Sequence, residues 1–156
     1  MEQEEIMLRE QFTSELKLAM KAGEKRRVET IRMISAALKD KDIEARGAGK
    51  EVGEDDILAL LQKLVKSRQE SAEIYDKNAR PELAAQEREE IAIISGFLPQ
   101  PMSEAEVAAA IQAAIAETAA SSIKAMGKVI AELKARHAGK MDFAKVSGLV
   151  KAALAG

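Results

Sequence analysis

The sequence predicts an all-α protein: an N-terminal four-helix domain over residues 1–97, a proline-containing connector at 98–102, and a small C-terminal three-helix bundle over 103–156. Three observations carry this. Apolar residues recur at spacings of three and four along most of the chain, and no stretch alternates apolar with polar as a half-buried strand does. The composition is 47% hydrophobic but only 3% aromatic, with its weight on alanine, leucine, isoleucine, glutamate and lysine, which form helices and fill aliphatic cores. Two of the three prolines, Pro99 and Pro101, fall within SGFLPQPMSEAEV. A proline lacks the backbone N–H and disfavours helix in the residue before it, so both act structurally and no helix runs through this segment.

The first helix is expected from about Met7 to Lys21, where Leu8, Phe12, Leu16 and Met20 step by four. The six residues ahead of Met7 read as an extension or as an alternative start. Gly23 stops this helix. The second, about Lys25 to Arg46, turns Val28, Ile31, Ile34, Ala37 and Leu38 inward. Its start carries Lys25, Arg26, Arg27 and Arg32, which the helix dipole disfavours there; a solvated helix surface is the favoured reading, with acidic neighbours on the first helix or a ligand as the alternative. Gly47-Ala48-Gly49-Lys50 opens a loop that lacks the G-x-x-x-x-G-K-[ST] pattern and follows no strand, which argues against a nucleotide site.

The third helix, about Glu54 to Asn78, begins with three acids that suit the positive end of its dipole. Ile57, Leu60, Leu61 and Leu64 share a face that Arg68 and Ser71 interrupt before Tyr75. Pro81 sits well in the first turn of the fourth helix, whose inward face is expected to hold Leu83, Glu87, Ile91, Ile94 and Leu98. Glu87 is then the expected partner of Arg68 or Arg80, an arrangement that serves packing. Gly96 is a plausible stop for this helix.

Beyond the connector, Ser103 and Glu106 form the S-x-x-E capping box that starts a helix to about Thr118, with Val107, Ile111, Ala114 and Ile115 inward. The next, about Ser122 to His137, uses Ile123, Met126, Val129, Ile130 and Leu133. Gly127 within it is explained by a close approach of a neighbouring helix, since glycine there costs about 1 kcal/mol against alanine. Asp142 is expected to cap the last helix, with Phe143, Val146, Leu149, Val150 and Leu154 inward.

Composition also limits function. The chain has no cysteine and one histidine, His137, which argues against thiolate or histidine metal sites and a cysteine nucleophile. No cofactor and no metal is expected. No run approaches ~18 apolar residues, so no membrane span is expected. The acidic start MEQEEIMLREQF has no signal-peptide core, and the expected location is the cytoplasm. Few rings are available for base stacking. Up to Gly96 there are 17 basic and 21 acidic residues; from Phe97 onward there are 7 and 5. All seven of those cations follow Ser122; on charge alone an ordinary solvated helix face is the favoured reading of this last third, and a polyanion-facing surface is the alternative.

Three stretches together resemble the GatB/YqeY family of small bacterial proteins. They are TIRMISAALKDKDIEAR, the central block KLVKSRQESAEIYDKNARPELAAQEREEIAIISGFLPQPMSEAEV, and SSIKAMGKVIAELKARHAGKMDFAKVSGLVKAAL. The chain departs where Phe97 replaces a common tyrosine, where Ile130 replaces a common methionine, and at ARHAGKMD, which lacks the commoner glycine–arginine turn. The resemblance implies a C-terminal half similar to the tail of GatB, a subunit of the amidotransferase acting on mischarged glutamyl- or aspartyl-tRNA, where the tail helps to hold tRNA. It also carries a label of carbon–nitrogen ligase with glutamine as amido-N-donor.

Such chemistry needs a nucleophile, a base and a site to activate a carboxylate, and the sequence offers no such constellation. Binding is better supplied. At ~100° a residue, Lys124, Lys128, Lys134 and Arg136 fall opposite or beside the apolar arc of their helix, and Lys140 and Lys145 extend the charge. These six are the candidate RNA-binding residues, fitted to phosphates. The alternative is a protein–protein adaptor without RNA binding, partnering the amidotransferase or another protein.

Overall fold

The computed structural model describes residues 7–155; the six residues read as an extension lie outside them. The helices are α1 (Leu8–Ala22), α2 (Lys25–Gly47), α3 (Glu54–Lys77), α4 (Pro81–Ser95), α5 (Glu104–Thr118), α6 (Met126–His137) and α7 (Phe143–Ala155), with a 3-10 turn at Ile123–Ala125. No strand occurs among the described residues. The chain separates into two compact units, one ending at Leu98 and the other beginning at Pro99.

In the amino-terminal unit, α1 pairs with α2, and α3 with α4, while α4 also packs on α2. Phe12, Ile31, Ile34, Leu61, Ile94 and Phe97 sit in its core. Gly23 closes α1 at φ +70, a left-handed conformation that suits glycine, and the amides of Gly23 and Glu24 reach back to the carbonyls of Met20 and Ala19. The expected stripe on α1 fails at its end. Met20 is 54% exposed and Ala19 is buried instead. Four residues turn ~400°, so a stripe stepping by four drifts ~40° each time and has left the core face by Met20. Leu83 is likewise 38% exposed, in the first turn of α4, and Ala84 is buried there.

Two of the four cations at the start of α2 find acids, whereas Lys25 and Arg32 form no ion pair among the described residues. Arg27 pairs with Glu15 of α1 at 2.8 Å and lies over the Phe97 ring, while Arg26 meets Glu89 of α4 at 3.4 Å and Glu29 at 3.7 Å. Arg68 pairs with Glu90, not with Glu87: its Nε donates to Glu90 at 3.0 Å and its Nη1 to the Leu64 carbonyl at 3.2 Å. Both side chains of the pair are less than one-fifth exposed. Glu87 lies one turn earlier on the same face of α4. Burial pushes its carboxyl above the usual range, the neighbouring Glu90 adds to this, and Arg68 opposes it. Arg80 has no ion pair among the described residues; it precedes α4, and its amide donates to the Tyr75 carbonyl at 2.8 Å.

The α4 helix stops at Ser95 without a left-handed glycine, because Gly96 keeps helical angles at φ −62. Two four-residue turns, Phe97 amide to Ile94 carbonyl and Leu98 amide to Ser95 carbonyl, follow it, and the chain through Pro99 and Pro101 is not helical.

The carboxy-terminal unit packs α5 and α7 against α6 around Ile111, Ala114, Val129, Leu133, Val146 and Val150. The capping box forms: Ser103 Oγ accepts from the Glu106 amide at 3.2 Å, and the Ser103 amide donates to Glu106 Oε1 at 3.1 Å. Asp142 Oδ1 accepts from the Ala144 amide at 3.1 Å and caps α7. The sixth helix begins later than expected, after the 3-10 turn that the Ala125 amide closes on the Ser122 carbonyl. Leu149, 100° round the helix from Val150, is 52% exposed. Gly127 makes no close helix contact: a Cβ built on it meets nothing within 4 Å. The expected close approach is therefore absent among the described residues.

Candidate nucleic-acid interface

The carboxy-terminal unit places Lys124 in the 3-10 turn and Lys128 in the first turn of α6, both exposed. Lys124 lies in the 3-10 turn, outside the α-helical repeat that carries Lys128, and the two are alike in being exposed on the surface of the unit. Neither forms an ion pair with a carboxylate among the described residues. Lys145, in the first turn of α7, and Lys140, in the turn before it, are also exposed. The backbone of Lys140 fixes this turn: its carbonyl accepts from the Met102 amide at 3.0 Å, and its amide donates to the His137 carbonyl at 3.0 Å. Its ammonium helps to hold the Glu106 carboxyl below the usual range, after the larger effect of the hydrogen bonds from Ser103.

Lys134 and Arg136 differ from these four. Two residues turn ~200°, which sends the two side chains to opposite flanks of α6. The Lys134 Nζ lies 5.8 Å from the centroid of the Phe143 ring on α7, a cation–π contact. Arg136 turns to α5, where it pairs with Glu117, and it pairs along its own helix with Glu132 at 2.7 Å. The bond to Glu117 is the main cause of its raised pKa. The six cations therefore divide by role: Lys124, Lys128, Lys140 and Lys145 are exposed and form no ion pair among the described residues, Lys134 lies over an aromatic ring, and Arg136 ties α6 to α5. Lys151, exposed late on α7, adds a cation that was not among the six.

Phosphates fit this arrangement. Ammonium groups on flexible stems make point contacts that tolerate varied backbone geometry and carry no base information. Among the described residues no group of three histidine or carboxylate side chains is placed to hold a metal ion. Among them, too, no helix is long and apolar enough to cross a membrane.

Fold and surface together define a class: an all-helical protein with free lysines gathered on its carboxy-terminal unit. The model of the Yqey-like protein family matches residues 9–154, and the chain belongs to this family. It is similar to altered inheritance of mitochondria protein 41, mitochondrial, of Lachancea thermotolerans, with 38% identity over 105 residues. That match covers 66% of this chain and 55% of the yeast protein, so the chain spans about half the length of this relative. The relative's printed name places that protein in mitochondria, which lends no support to the cytoplasmic location expected for this one.

Proposed function

We propose that the protein is a non-catalytic helical module that associates with tRNA, working as the GatB tail does. The carboxy-terminal unit carries the contact, with Lys124, Lys128, Lys140 and Lys145 on phosphates. The observation that supports this best is the outward pair Lys124 and Lys128, which no carboxylate neutralises. The carbon–nitrogen ligase label is not part of the reading. The proposed location is the cytoplasm.

A titration of tRNA into the full chain across a salt series tests it. Binding is expected to weaken steeply with salt, and replacing Lys124, Lys128 and Lys145 by alanine together flattens the slope by about 2–3 in log–log terms, at 0.7–0.9 per phosphate contact. An unchanged slope and affinity refute the assignment. Ile123, 45% exposed, and Leu149 favour a second reading, docking of another protein such as the amidotransferase on this unit. Loss of partner co-purification on Leu149→Asp, with tRNA absent, would select it.

A further inference from the structure

The amino-terminal unit has a separate charged cleft. It is an open cleft of about 610 Å³ lined by Arg9 of α1, Asp42 and Arg46 of α2, and Gly49, Lys50, Glu51 and Val52 of the loop that follows. Its volume lies within the ordinary range for small-ligand sites.

Charge within it is unevenly satisfied. Arg9 donates from Nη1 to Asp42 Oδ2 at 2.9 Å and from Nη2 to Asp42 Oδ1 at 2.6 Å. This two-point pair occupies both carboxylate oxygens and holds the Asp42 carboxyl below its usual range, with Arg46 contributing only through its charge. Arg46 and Lys50 therefore face the same cleft with no hydrogen-bonded acid among the described residues. The nearby end of α2 does not repel an anion with open carbonyls. The amides of Ala48, Gly49 and Lys50 fold back on Glu44, Ala45 and Arg46 and occupy them. Gly49, at φ +70, makes the turn that returns Lys50 to the cleft.

We propose that this cleft binds a phosphoryl group, held between the Arg46 guanidinium and the Lys50 ammonium, with Arg9 fixed beside them by Asp42. An arginine fork and a lysine together are the usual side-chain grip on phosphate. The grip comes from side chains and owes nothing to a phosphate-binding loop, whose pattern is absent. Glu51 lines the same cleft and opposes the anion, which gives the proposal a second sign to test. This site is independent of the lysines on the carboxy-terminal unit.

The test is an amide-resolved titration of the full chain with pyrophosphate, beside tRNA binding by the same variants. Saturable shifts at residues 46–52 are expected. The Arg46→Ala/Lys50→Ala double variant should bind pyrophosphate at least about tenfold more weakly, and Glu51→Gln should bind it more tightly. Both positions are exposed, and an unchanged melting curve confirms that each variant is folded. If pyrophosphate leaves residues 46–52 unmoved but the double variant loses tRNA affinity, the phosphoryl group is one that RNA presents. If neither ligand responds to the double variant, or shifts fall only outside the cleft, the proposal is overturned.

Discussion

Gly127→Ala is expected to stabilise the protein, contrary to the usual sense of a change at a helical glycine kept for packing. The residue lies in α6 with no positive φ, and the added Cβ meets nothing within 4 Å. Gly127 is the second residue of α6, where the helix-interior propensity has little weight, so the gain comes chiefly from a less flexible unfolded chain, about 0.4–1 kcal/mol, with no clash to oppose it. For a unit of this size that raises the melting temperature by about 2–8 °C. Gly23→Ala supplies the opposite sign from the same chemical change. Its φ of +70 costs a residue with a Cβ about 1–2 kcal/mol, although its surroundings are as open. Thermal and urea unfolding followed by far-ultraviolet circular dichroism would measure both. A destabilised Gly127→Ala would refute the reasoning, because it would mean that a neighbour occupies the space shown as empty.

Two further outcomes follow from the α3–α4 pairing. Glu90→Ala leaves the guanidinium of Arg68, which is mostly covered, without its acid, and should cost about 1–3 kcal/mol in urea unfolding; a loss no larger than that of an exposed glutamate would show the pair to be incidental. Glu87 gives a pH signature. Its folded pKa is raised, so the folded state holds the proton more tightly than the unfolded one, and stability falls as pH rises from the unfolded carboxylate value through the folded one. Glu87→Gln should therefore be more stable than the parent at neutral pH, with the advantage fading below the ordinary glutamate range. A variant equal to the parent at every pH would remove burial of Glu87 as a destabilising effect.

Helices were legible because apolar spacing, caps and prolines are local. Ser103 with Glu106, Asp142 ahead of α7, and the break at Pro99 and Pro101 all appear in the structure where residue chemistry placed them. Finer orientation was less legible. A four-residue step suggested Met20 over Ala19 because drift is not visible without the helix partner. Glu87 and Glu90 share one face of α4, and only the distance to α3 decides which of them meets Arg68. On α6 the sequence counted cations, whereas contacts with Glu117 and Phe143, which come from other helices, decide which of them are free. The cleft beside Arg9 joins residues 33 apart in sequence through the bond to Asp42, a distance over which no motif runs.

The edge-to-face contact of Phe12 with Phe97, whose centroids are 5.0 Å apart at 80°, joins the first helix of the amino-terminal unit to its last turn. During synthesis α1 leaves the ribosome early, yet its aromatic partner emerges only when nearly the whole unit has been made. The α1–α2 pair can form early, but the core around Phe12 should be completed only when Phe97 arrives, so the unit reaches its final packing late. The two prolines that follow keep the next helix, α5, from continuing directly out of that last turn.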